Sequence, residues 1–268
     1  MKKITVAIAG NPNAGKTTIF NNLTGGRHQV GNYPGVTVEK RVGTKSFEDY
    51  EIEFVDLPGT YGLTTWSLDE KVARDYIIKE QPDLIVDVID ASNLERNLYL
   101  TMQFMELELP LVLAFNMSDV AKAQGIEFDN ELLEKNLSAE IVPMVGSRNV
   151  GGEELLKAIV RCYEAEHPDK RYNLEYGHDL EDAVAAMIDL IKSEKGLNEE
   201  YGQLMKTPAG PRWLALKLLE QDSVIGEKVK SEERKEALGE WTAGIHKLFG
   251  DAPAVMLADG RYGCISGA

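Results

Sequence analysis

The segment from Gly10 to Thr17 constrains this sequence more than any other. It reads Gly-Asn-Pro-Asn-Ala-Gly-Lys-Thr, with glycine at the first and sixth positions and Lys-Thr at its end. An apolar stretch typical of a buried strand, residues 4–9, precedes it, and residues 18–23 have the character of a helix. A loop of this pattern between a strand and a helix is typical of phosphate-binding loops. The sequence therefore predicts a nucleotide site here.

The residue types in this loop suit a dense cluster of negative charge. Gly10 and Gly15 let the backbone come close to phosphates, so that successive N–H groups form an anion-binding nest. Lys16 adds a positive charge toward the β and γ phosphates, and the Thr17 hydroxyl is a candidate Mg²⁺ ligand. The loop residues expected to contact the nucleotide are Gly10, Asn11, Asn13, Ala14, Gly15, Lys16, Thr17 and Thr18.

The overall composition narrows the class of protein. A chain of 268 residues exceeds an average domain, which predicts one large domain and a smaller one. The net charge of −15 disfavours a nucleic-acid partner, because such binding begins at a basic surface. Cys162 and Cys264 lie far apart in the sequence, which fits a protein of the reducing cytosol better than a disulfide-linked scaffold. No apolar run is long enough to cross a bilayer, so we expect a soluble polypeptide.

Strand and helix patterns alternate after the loop. Residues 25–35 are rich in Gly, Asn and Pro, which favours a mobile loop. The predicted strands are 4–9, 38–47, 51–56, 84–90, 111–116 and 141–144, and the later helices are 69–79, 94–107, 130–137 and 152–166. This alternation predicts an α/β fold of three layers around a mostly parallel, six-stranded sheet.

The strand signal disappears after about residue 167. Residues 180–192, 212–220 and 232–249 show helical periodicity and are separated by segments rich in Gly and Pro. We therefore expect two domains, 1–166 and 167–268, with a boundary near residues 166–173. The second is predicted to be small and all-α.

Polar clusters follow two of the predicted strands. In parallel sheets, ligands bind beyond the carboxyl ends of the strands. At the end of strand 51–56, Asp56 can hold Mg²⁺ opposite Thr17, and Gly59 can offer its N–H to the γ-phosphate. At the end of strand 111–116, Asn116 and Asp119 form an Asn-x-x-Asp pair. A carboxylate at Asp119 can accept from both N1–H and the exocyclic amine of guanine, a donor pair that adenine lacks, so GTP and GDP are the predicted ligands.

Together these motifs resemble the small-GTPase superfamily, and their details are similar to the cytosolic part of the FeoB family of bacterial ferrous iron transport proteins. The supporting strings are residues 10–18, 32–39, 56–61 and 90–100. The resemblance implies a Ras-like P-loop GTPase domain followed by a helical domain that has been likened to a dissociation inhibitor. A weaker similarity continues through residues 212–219.

The resemblance also implies further residues around the nucleotide. Gly35, Val36 and Thr37 would contact it, and Thr37 would join Thr17 and Asp56 as the Mg²⁺ ligands. Cofactor-binding residues on the guanine side would be Asn116, Met117, Asp119, Val145, Gly146 and Ser147. Met117 replaces a more usual Lys, which predicts modest affinity and fast release. The loop at 145–148 departs from the usual Ser-Ala-Lys, which leaves backbone N–H groups to reach the guanine oxygen.

Hydrolysis needs an in-line water and positive charge on the transition state. Thr60 stands where Ras-like proteins carry Gln, so we expect slow intrinsic hydrolysis, with the water held by backbone groups around Thr37 or by Thr60. In GTPases that this chain resembles, an Asn at position 11 ligates K⁺ where an arginine finger would lie, which implies a K⁺-stimulated rate. The alternative is that Asn11 is only a turn residue. The candidate catalytic residues are Asn11, Lys16, Thr37, Gly59 and Thr60.

Members of the resembling family continue into a membrane-embedded iron permease region on the same polypeptide. The implied role is regulation or gating of ferrous iron transport at the cytoplasmic face of the bacterial inner membrane, with this chain ending near the start of that region. An Era- or EngA-like ribosome-assembly GTPase is the alternative, disfavoured by an acidic helical tail without an RNA-binding motif. A non-hydrolysing nucleotide sensor is a third reading, and a homo-oligomer stays open.

Overall fold

The computed structural model describes residues 1–64, 66–165, 174–192 and 194–267. Within these ranges the chain forms two compact units. The first contains a β-sheet and its helices, and the second is helical and includes the short segment Glu106–Glu108. The boundary predicted between residues 166 and 173 lies outside the described residues.

The first unit is built on a seven-stranded sheet. Its strands are β1 (Lys2–Gly10), β2 (His28–Asn32), β3 (Glu39–Phe47), β4 (Tyr50–Asp56), β5 (Leu84–Asp90), β6 (Leu111–Asn116) and β7 (Glu140–Pro143). They lie in the order β2-β3-β4-β1-β5-β6-β7. β3 runs antiparallel to both β2 and β4, and the other neighbours are parallel. The predicted α/β fold with a mostly parallel sheet is confirmed.

The predicted number of six strands is wrong, because part of the segment 25–35 forms β2. This strand pairs with β3 from His28, opposite Gly43, to Asn32, opposite Glu39. It is an edge strand, and four of its five residues are exposed, so it lacks the apolar alternation by which strands are recognised. Its Gly and Asn content favours a loop, but backbone pairing to one neighbour outweighs that local preference.

Helices on the sheet give the first unit its core. They are α1 (Lys16–Thr24), α2 (Leu68–Glu80), α3 (Leu94–Glu106), α4 (Ser118–Ala123), α5 (Asn130–Leu137) and α6 (Gly152–Glu164), with short 3-10 turns at Ala91–Asn93 and Gly146–Arg148. Val6 and Ile8 of β1 belong to one buried cluster with Ile19 and Phe20 of α1 and Ile159 of α6. β5 and β6 are buried along almost their whole length, as expected for central parallel strands. This packing holds the carboxyl ends of the strands in place.

The second unit consists of helices in its described part. They are α7 (His178–Lys192), α8 (Lys195–Tyr201), α9 (Gly210–Leu219), α10 (Ser223–Gly226), α11 (Glu232–Phe249) and α12 (Pro253–Gly267), with a 3-10 turn at Leu204–Lys206. The predicted helices at 180–192, 212–220 and 232–249 are confirmed. α12 escaped prediction because it contains three glycines, and because Arg261 occupies one position of its buried stripe, between Leu257 and Ile265.

A buried ionic cluster lies inside the second unit. Arg261 is 1% exposed and donates to Glu106 Oε1 at 2.7 Å and Oε2 at 3.1 Å. It also donates to Glu220 Oε1, while Lys217 Nζ donates to Glu220 Oε2 at 2.7 Å. Burial acts to raise the pKa of Glu220, but the charges of Lys217 and Arg261 outweigh it and lower the pKa to about 2. Two carboxylates and two cations thus compensate one another.

Candidate nucleotide-binding site

The predicted site residues lie at the carboxyl ends of neighbouring parallel strands. Gly10 ends β1, Asp56 ends β4 and Asn116 ends β6, while Gly146 follows β7. Because these strands are parallel, their carboxyl ends share one edge of the sheet, where ligands of open α/β folds bind.

The loop from Gly10 to Thr17 requires glycine at both of its fixed positions. Gly10 has φ 141°, and a Cβ there would lie 2.3 Å from the Val88 carbonyl oxygen. Gly15 has φ 97°, and a Cβ there would lie 2.2 Å from Asn116 Nδ2. Any side chain would therefore displace β5 or the Asn116 amide, which explains both glycines of the pattern.

Lys16 folds back over the loop. Its Nζ donates to the Asn11 carbonyl oxygen at 2.9 Å. Burial lowers the pKa of Lys16, and the nearby carboxylates of Asp56 and Asp87 act in the opposite direction. Thr18 follows on the exposed side of the first turn of α1.

Thr17 and Asp56 come together as the sequence predicts. Thr17 Oγ1 donates to Asp56 Oδ2 at 3.3 Å. The other carboxylate oxygen, Oδ1, is buried and has no hydrogen-bond partner among the described residues. Burial raises the pKa of Asp56, while the charge of Lys16 acts to lower it. A hydroxyl and a carboxylate with a free oxygen are hard donors of the kind that Mg²⁺ binds, so these residues fit that ion.

Thr37 is not brought to this pair. It lies exposed on the turn between β2 and β3, together with Gly35 and Val36. Within the described ranges no hydrogen bond joins Thr37 to Thr17 or Asp56. Its predicted place among the Mg²⁺ ligands would require the turn to move.

Tyr33 holds the base of this turn. Its N–H donates to the Val38 carbonyl oxygen at 3.0 Å, and its hydroxyl donates to the Asp56 carbonyl oxygen at 3.2 Å. Its ring meets that of Tyr76 edge-on, 6.0 Å between centroids, and Lys40 Nζ lies 5.7 Å from the Tyr33 ring. The turn is therefore closed at its base and attached to the end of β4.

The loop after Asp56 packs closely against the phosphate-binding loop. A Cβ at Gly59 would lie 3.0 Å from Lys16 Nζ. The Thr60 N–H donates to the Gly10 carbonyl oxygen at 3.3 Å. The Thr60 hydroxyl donates to the Gly62 carbonyl oxygen and accepts from the Gly62 N–H at 3.1 Å, so it is engaged within its own loop.

Asn11 is 3% exposed, and its two amide atoms have different surroundings. Nδ2 donates to the Arg96 carbonyl oxygen at 3.3 Å. Oδ1 is buried and has no hydrogen-bond partner among the described residues. A buried carbonyl oxygen without a donor is costly unless something electropositive binds it. The Asn11 side chain therefore fits a cation such as K⁺.

Asn116 links the phosphate-binding loop to the loop at 145–149. Its Nδ2 donates to the Ala14 carbonyl oxygen at 2.8 Å, and its Oδ1 accepts from the Gly146 N–H at 2.8 Å. The Gly146 carbonyl oxygen accepts from Asn22 Nδ2 at 2.7 Å. Asn116 thus acts as a bridge between loops, a role that its motif alone does not reveal.

In the loop at 145–149, one backbone donor stays available. The N–H groups of Val145, Gly146, Arg148 and Asn149 all donate to protein oxygens. The Ser147 N–H makes no such bond among the described residues. This N–H therefore stays free for a further acceptor.

Asp119 lies opposite Arg148, a contact that the sequence motif does not predict. Arg148 Nη2 is 3.4 Å from Asp119 Oδ2, and Oδ1 accepts from the Val120 N–H at 3.0 Å. Met117, which precedes α4, has a left-handed backbone with φ 58°. The carboxylate predicted to read guanine therefore has a guanidinium beside it.

Asp87 is a further buried group near the site that sequence reasoning missed. It lies in β5 opposite Ala9, and its Oδ2 accepts from Thr101 Oγ1 at 2.6 Å. Burial raises the pKa of Asp87 to about 7. The available signal was a charged residue in the middle of an otherwise apolar strand.

Neither a metal cluster nor a membrane span occurs in the described part of the chain. No three His, Cys, Asp or Glu side chains in those ranges come together as a metal-binding group. None of the helices described there is long and apolar enough to span a bilayer.

Comparisons with known proteins point to one family. A family model described as Ferrous iron transport protein B matches residues 4–159, and one described as the FeoB cytosolic helical domain matches residues 176–268. The Fe(2+) transporter FeoB of Shigella flexneri is 40% identical over an alignment of 270 positions, which covers 99% of this chain and 33% of that protein. The chain thus spans about a third of the length of the curated relatives it matches.

Solved structures agree with these matches. An N11A mutant of S. thermophilus NFeoB bound to mGDP has a TM-score of 0.86 at 32% identity, covering 99% of this chain and 98% of the other. The cytosolic domain of the T. maritima FeoB iron transporter in a GDP form has a TM-score of 0.82 at 33% identity, covering 99% and 97%.

One family model covers the sheet-containing unit and the other covers the helical unit. These matches favour the iron-transport family over the alternative of a ribosome-assembly GTPase. With a phosphate-binding loop, a Thr17–Asp56 pair and an Asn116 bridge at one edge of the sheet, the chain belongs to the ferrous iron transport protein B (FeoB) family, as its GTP-binding G domain and cytosolic helical domain.

Proposed function

We propose that this chain binds and hydrolyses GTP, and that its nucleotide state regulates or gates ferrous iron transport by a membrane-embedded region of the same polypeptide, at the cytoplasmic face of the inner membrane. The observation that carries the proposal is that Lys16 and Thr17, at the end of the phosphate-binding loop, lie close to Asp56. One oxygen of the Asp56 carboxylate has no hydrogen-bond partner among the described residues. The transport role is supported by relatives that are named Fe(2+) transporters and are about three times longer.

In this proposal the guanine base is read from two loops. The carboxylate of Asp119 accepts from N1–H and from the exocyclic amine, and the Ser147 N–H donates to the guanine oxygen. Asn116 connects the loop at 145–149 to the phosphate-binding loop through its bonds to Gly146 and Ala14. Adenine lacks this donor pair and would leave the buried acceptor unpaired, which is why such a site discriminates strongly.

The phosphates are held by the backbone N–H groups of residues 10–18 and by Lys16. Thr17, Asp56 and Thr37 would hold Mg²⁺, which would supply positive charge to the phosphates when bound. When bound, K⁺ supplies positive charge where an arginine finger would lie, and Asn11 Oδ1 would hold it. A side chain at position 59 would crowd Lys16 Nζ, so glycine is the residue that lets this loop bring its N–H toward the γ-phosphate.

The attacking water is proposed to be held by backbone groups near Thr37. The Thr60 hydroxyl is a weaker candidate, because both of its hydrogen-bonding functions are engaged with Gly62. Without a glutamine at this position, slow hydrolysis is expected. Loss of the γ-phosphate would release the loops of Thr37 and Gly59, which makes the nucleotide a switch.

Turnover in potassium and sodium tests this function. We expect the wild-type chain with Mg²⁺ to release phosphate from GTP over many turnovers, about tenfold or more faster in KCl than in NaCl. Asn11→Ala should turn over equally slowly in both salts, because the amide oxygen is lost. The measurement is steady-state phosphate release at equal ionic strength.

Asn13→Gly is the matched control for Asn11→Ala. It removes the other asparagine side chain of the loop and keeps the left-handed backbone, φ 67°, that alanine would strain. It should retain the preference for KCl. Equal wild-type rates in both salts would refute the potassium role, and release of less than one phosphate per chain would favour the non-hydrolysing sensor.

Arg148→Ala should tighten GDP binding by about twofold to fivefold, the range expected for an exposed ion pair. Guanine and Arg148 compete for the same Asp119 oxygen, so removal of the guanidinium leaves the carboxylate free. Association and release of a fluorescent GDP analogue measure the effect. Arg161→Ala, which removes an exposed Arg–Glu pair of α6, should leave both rates unchanged. Weaker GDP binding by Arg148→Ala would mean that Arg148 contacts the nucleotide instead.

A further inference from the structure

We infer that Arg96 is a positioning residue, which sets the orientation of the Asn11 amide and couples it to the loop after β4. Arg96 lies in the string 90–100 that carries much of the family resemblance but contains no predicted nucleotide contact. The inference rests on the proposed function, in which Asn11 acts at the nucleotide, and deepens it by naming what holds Asn11.

The backbone of Arg96 decides which way the Asn11 amide faces. Its carbonyl oxygen can only accept, so the contact at 3.3 Å must be made by Nδ2. A reversed amide would bring two acceptor oxygens together. Oδ1 is thereby held on the opposite side of the amide, where it is buried without a partner among the described residues. The Arg96 backbone thus presets the one side-chain atom of Asn11 that can bind a cation.

The side chain of Arg96 makes a separate contact with the loop after β4. Its guanidinium carbon lies 4.4 Å from the centroid of the Tyr61 ring, within the range of a cation–π interaction. Tyr61 follows Thr60, whose N–H donates to the Gly10 carbonyl oxygen. Gly10 in turn precedes Asn11, so the contacts form a closed ring through both loops. A shift of the loop that carries Tyr61 would therefore displace Arg96 and change the orientation of the Asn11 side-chain amide.

Asn97 fixes the first turn of α3, which carries Arg96. Asn97 Oδ1 accepts from the Asp90 N–H at 3.2 Å, and Nδ2 donates to the Asn93 carbonyl oxygen at 2.8 Å. Asn97 is 5% exposed, so its side chain is held inside the protein. The position of the Arg96 carbonyl oxygen is therefore defined from within the turn, and the stack on Tyr61 supports it from outside.

The test uses the GDP–Mg²⁺ complex and a readout that does not depend on turnover. The side-chain amide of Asn11 is identified in proton–nitrogen correlation spectra as the signal that Asn11→Ala lacks. In Arg96→Ala and in Tyr61→Ala, we expect this signal to shift and its protons to exchange with water about fivefold faster. Tyr61→Phe keeps the ring face and should behave as wild type. Glu95→Ala, an exposed neighbour on α3, is the matched control.

A second measurement connects the stack to the reaction. The ratio of turnover in KCl to that in NaCl should fall about threefold to tenfold in Arg96→Ala and in Tyr61→Ala. Combining the two substitutions should add nothing, because each already removes the same contact. Arg96→Lys keeps the charge but loses the planar stacking surface, so it should resemble Arg96→Ala.

The outcomes separate this inference from the proposed function. If the Asn11 amide signal in Arg96→Ala equals that of the wild type, or if the effects of the two substitutions add, the inference is wrong. If the wild type shows no difference between KCl and NaCl, the potassium part of the proposed function is wrong. In that case the amide signal still decides the role of Arg96.

Discussion

Asp119→Asn should weaken the binding of GTP and GDP by about a hundredfold or more. The carboxylate accepts from two guanine donors, whereas an amide offers one acceptor and places its NH₂ group against the exocyclic amine of the base. Xanthine carries an oxygen in place of that amine, so the variant should bind xanthosine diphosphate better than GDP. Competition against a fluorescent GDP analogue measures both affinities.

Lys122→Ala, an exposed substitution on α4, is the control and should leave GDP affinity unchanged. The proposed transport role further predicts that, when this chain is joined to a membrane region as in its longer relatives, Asp119→Asn reduces ferrous iron uptake to the level of cells without the transporter. Undiminished GDP affinity would refute the assignment of Asp119 to the base. Full uptake despite lost GTP binding would refute the transport role and leave base recognition standing.

Arg261→Met should lower the free energy of unfolding of the helical unit by about 3–5 kcal/mol. The substitution keeps a long side chain but leaves Glu106 with no cation and Glu220 with Lys217 alone. Breaking a buried ionic cluster by removing one partner is costly, because the remaining charge stays out of water. Urea unfolding followed by circular dichroism measures the loss.

Two comparisons sharpen that result. Adding Glu106→Gln to Arg261→Met should restore part of the stability, since it removes the uncompensated carboxylate. Lys228→Met breaks an exposed pair with Glu200 and should cost no more than about 1 kcal/mol. A loss in Arg261→Met as small as that of Lys228→Met would show that the cluster does not stabilise the unit.

The pH dependence follows from the same cluster. The pKa of Glu220 is about 2 in the folded chain, below its ordinary value of 4.5. Its contribution to stability is therefore complete above about pH 4.5 and is lost as the pH falls toward 2. In Arg261→Met the pKa of Glu220 should rise, so stability should change less with pH across that window.

The parts of the site that could be predicted are those in which a few adjacent residues carry the chemistry. The loop at 10–17 and the ends of β4 and β6 have this property, because the residues proposed to contact the phosphates or the base lie within one short segment each. The contacts between segments could not be predicted. Asn22 and Gly146 are 124 residues apart and Asn11 and Arg96 are 85 apart, and no local pattern relates such pairs.

The secondary structure could likewise be predicted only where the signal lies within one segment. β5 and β6 were recognised from their apolar runs, whereas β2 is an exposed edge strand whose pairing with β3 leaves no trace in its composition. α12 was missed for a related reason. Its buried stripe includes Arg261, whose burial makes sense only with Glu106 and Glu220 beside it. Periodicity detects apolar burial but not the burial of a compensated charge.

The turn that carries Thr37 is the tip of a β-hairpin, formed by β2 and β3 and closed by Tyr33. Ordering a loose loop around a nucleotide would cost about 1–2 kcal/mol of conformational entropy per residue. Because β2 and β3 are already paired, and β3 is also paired with β4, only the short turn at 34–37 would have to rearrange, so little of that freedom is lost. If Thr37 joins the Mg²⁺ ligands as proposed, the affinity difference between GTP and GDP should depend mainly on the contacts that Thr37 makes, with only a small entropic penalty opposing them.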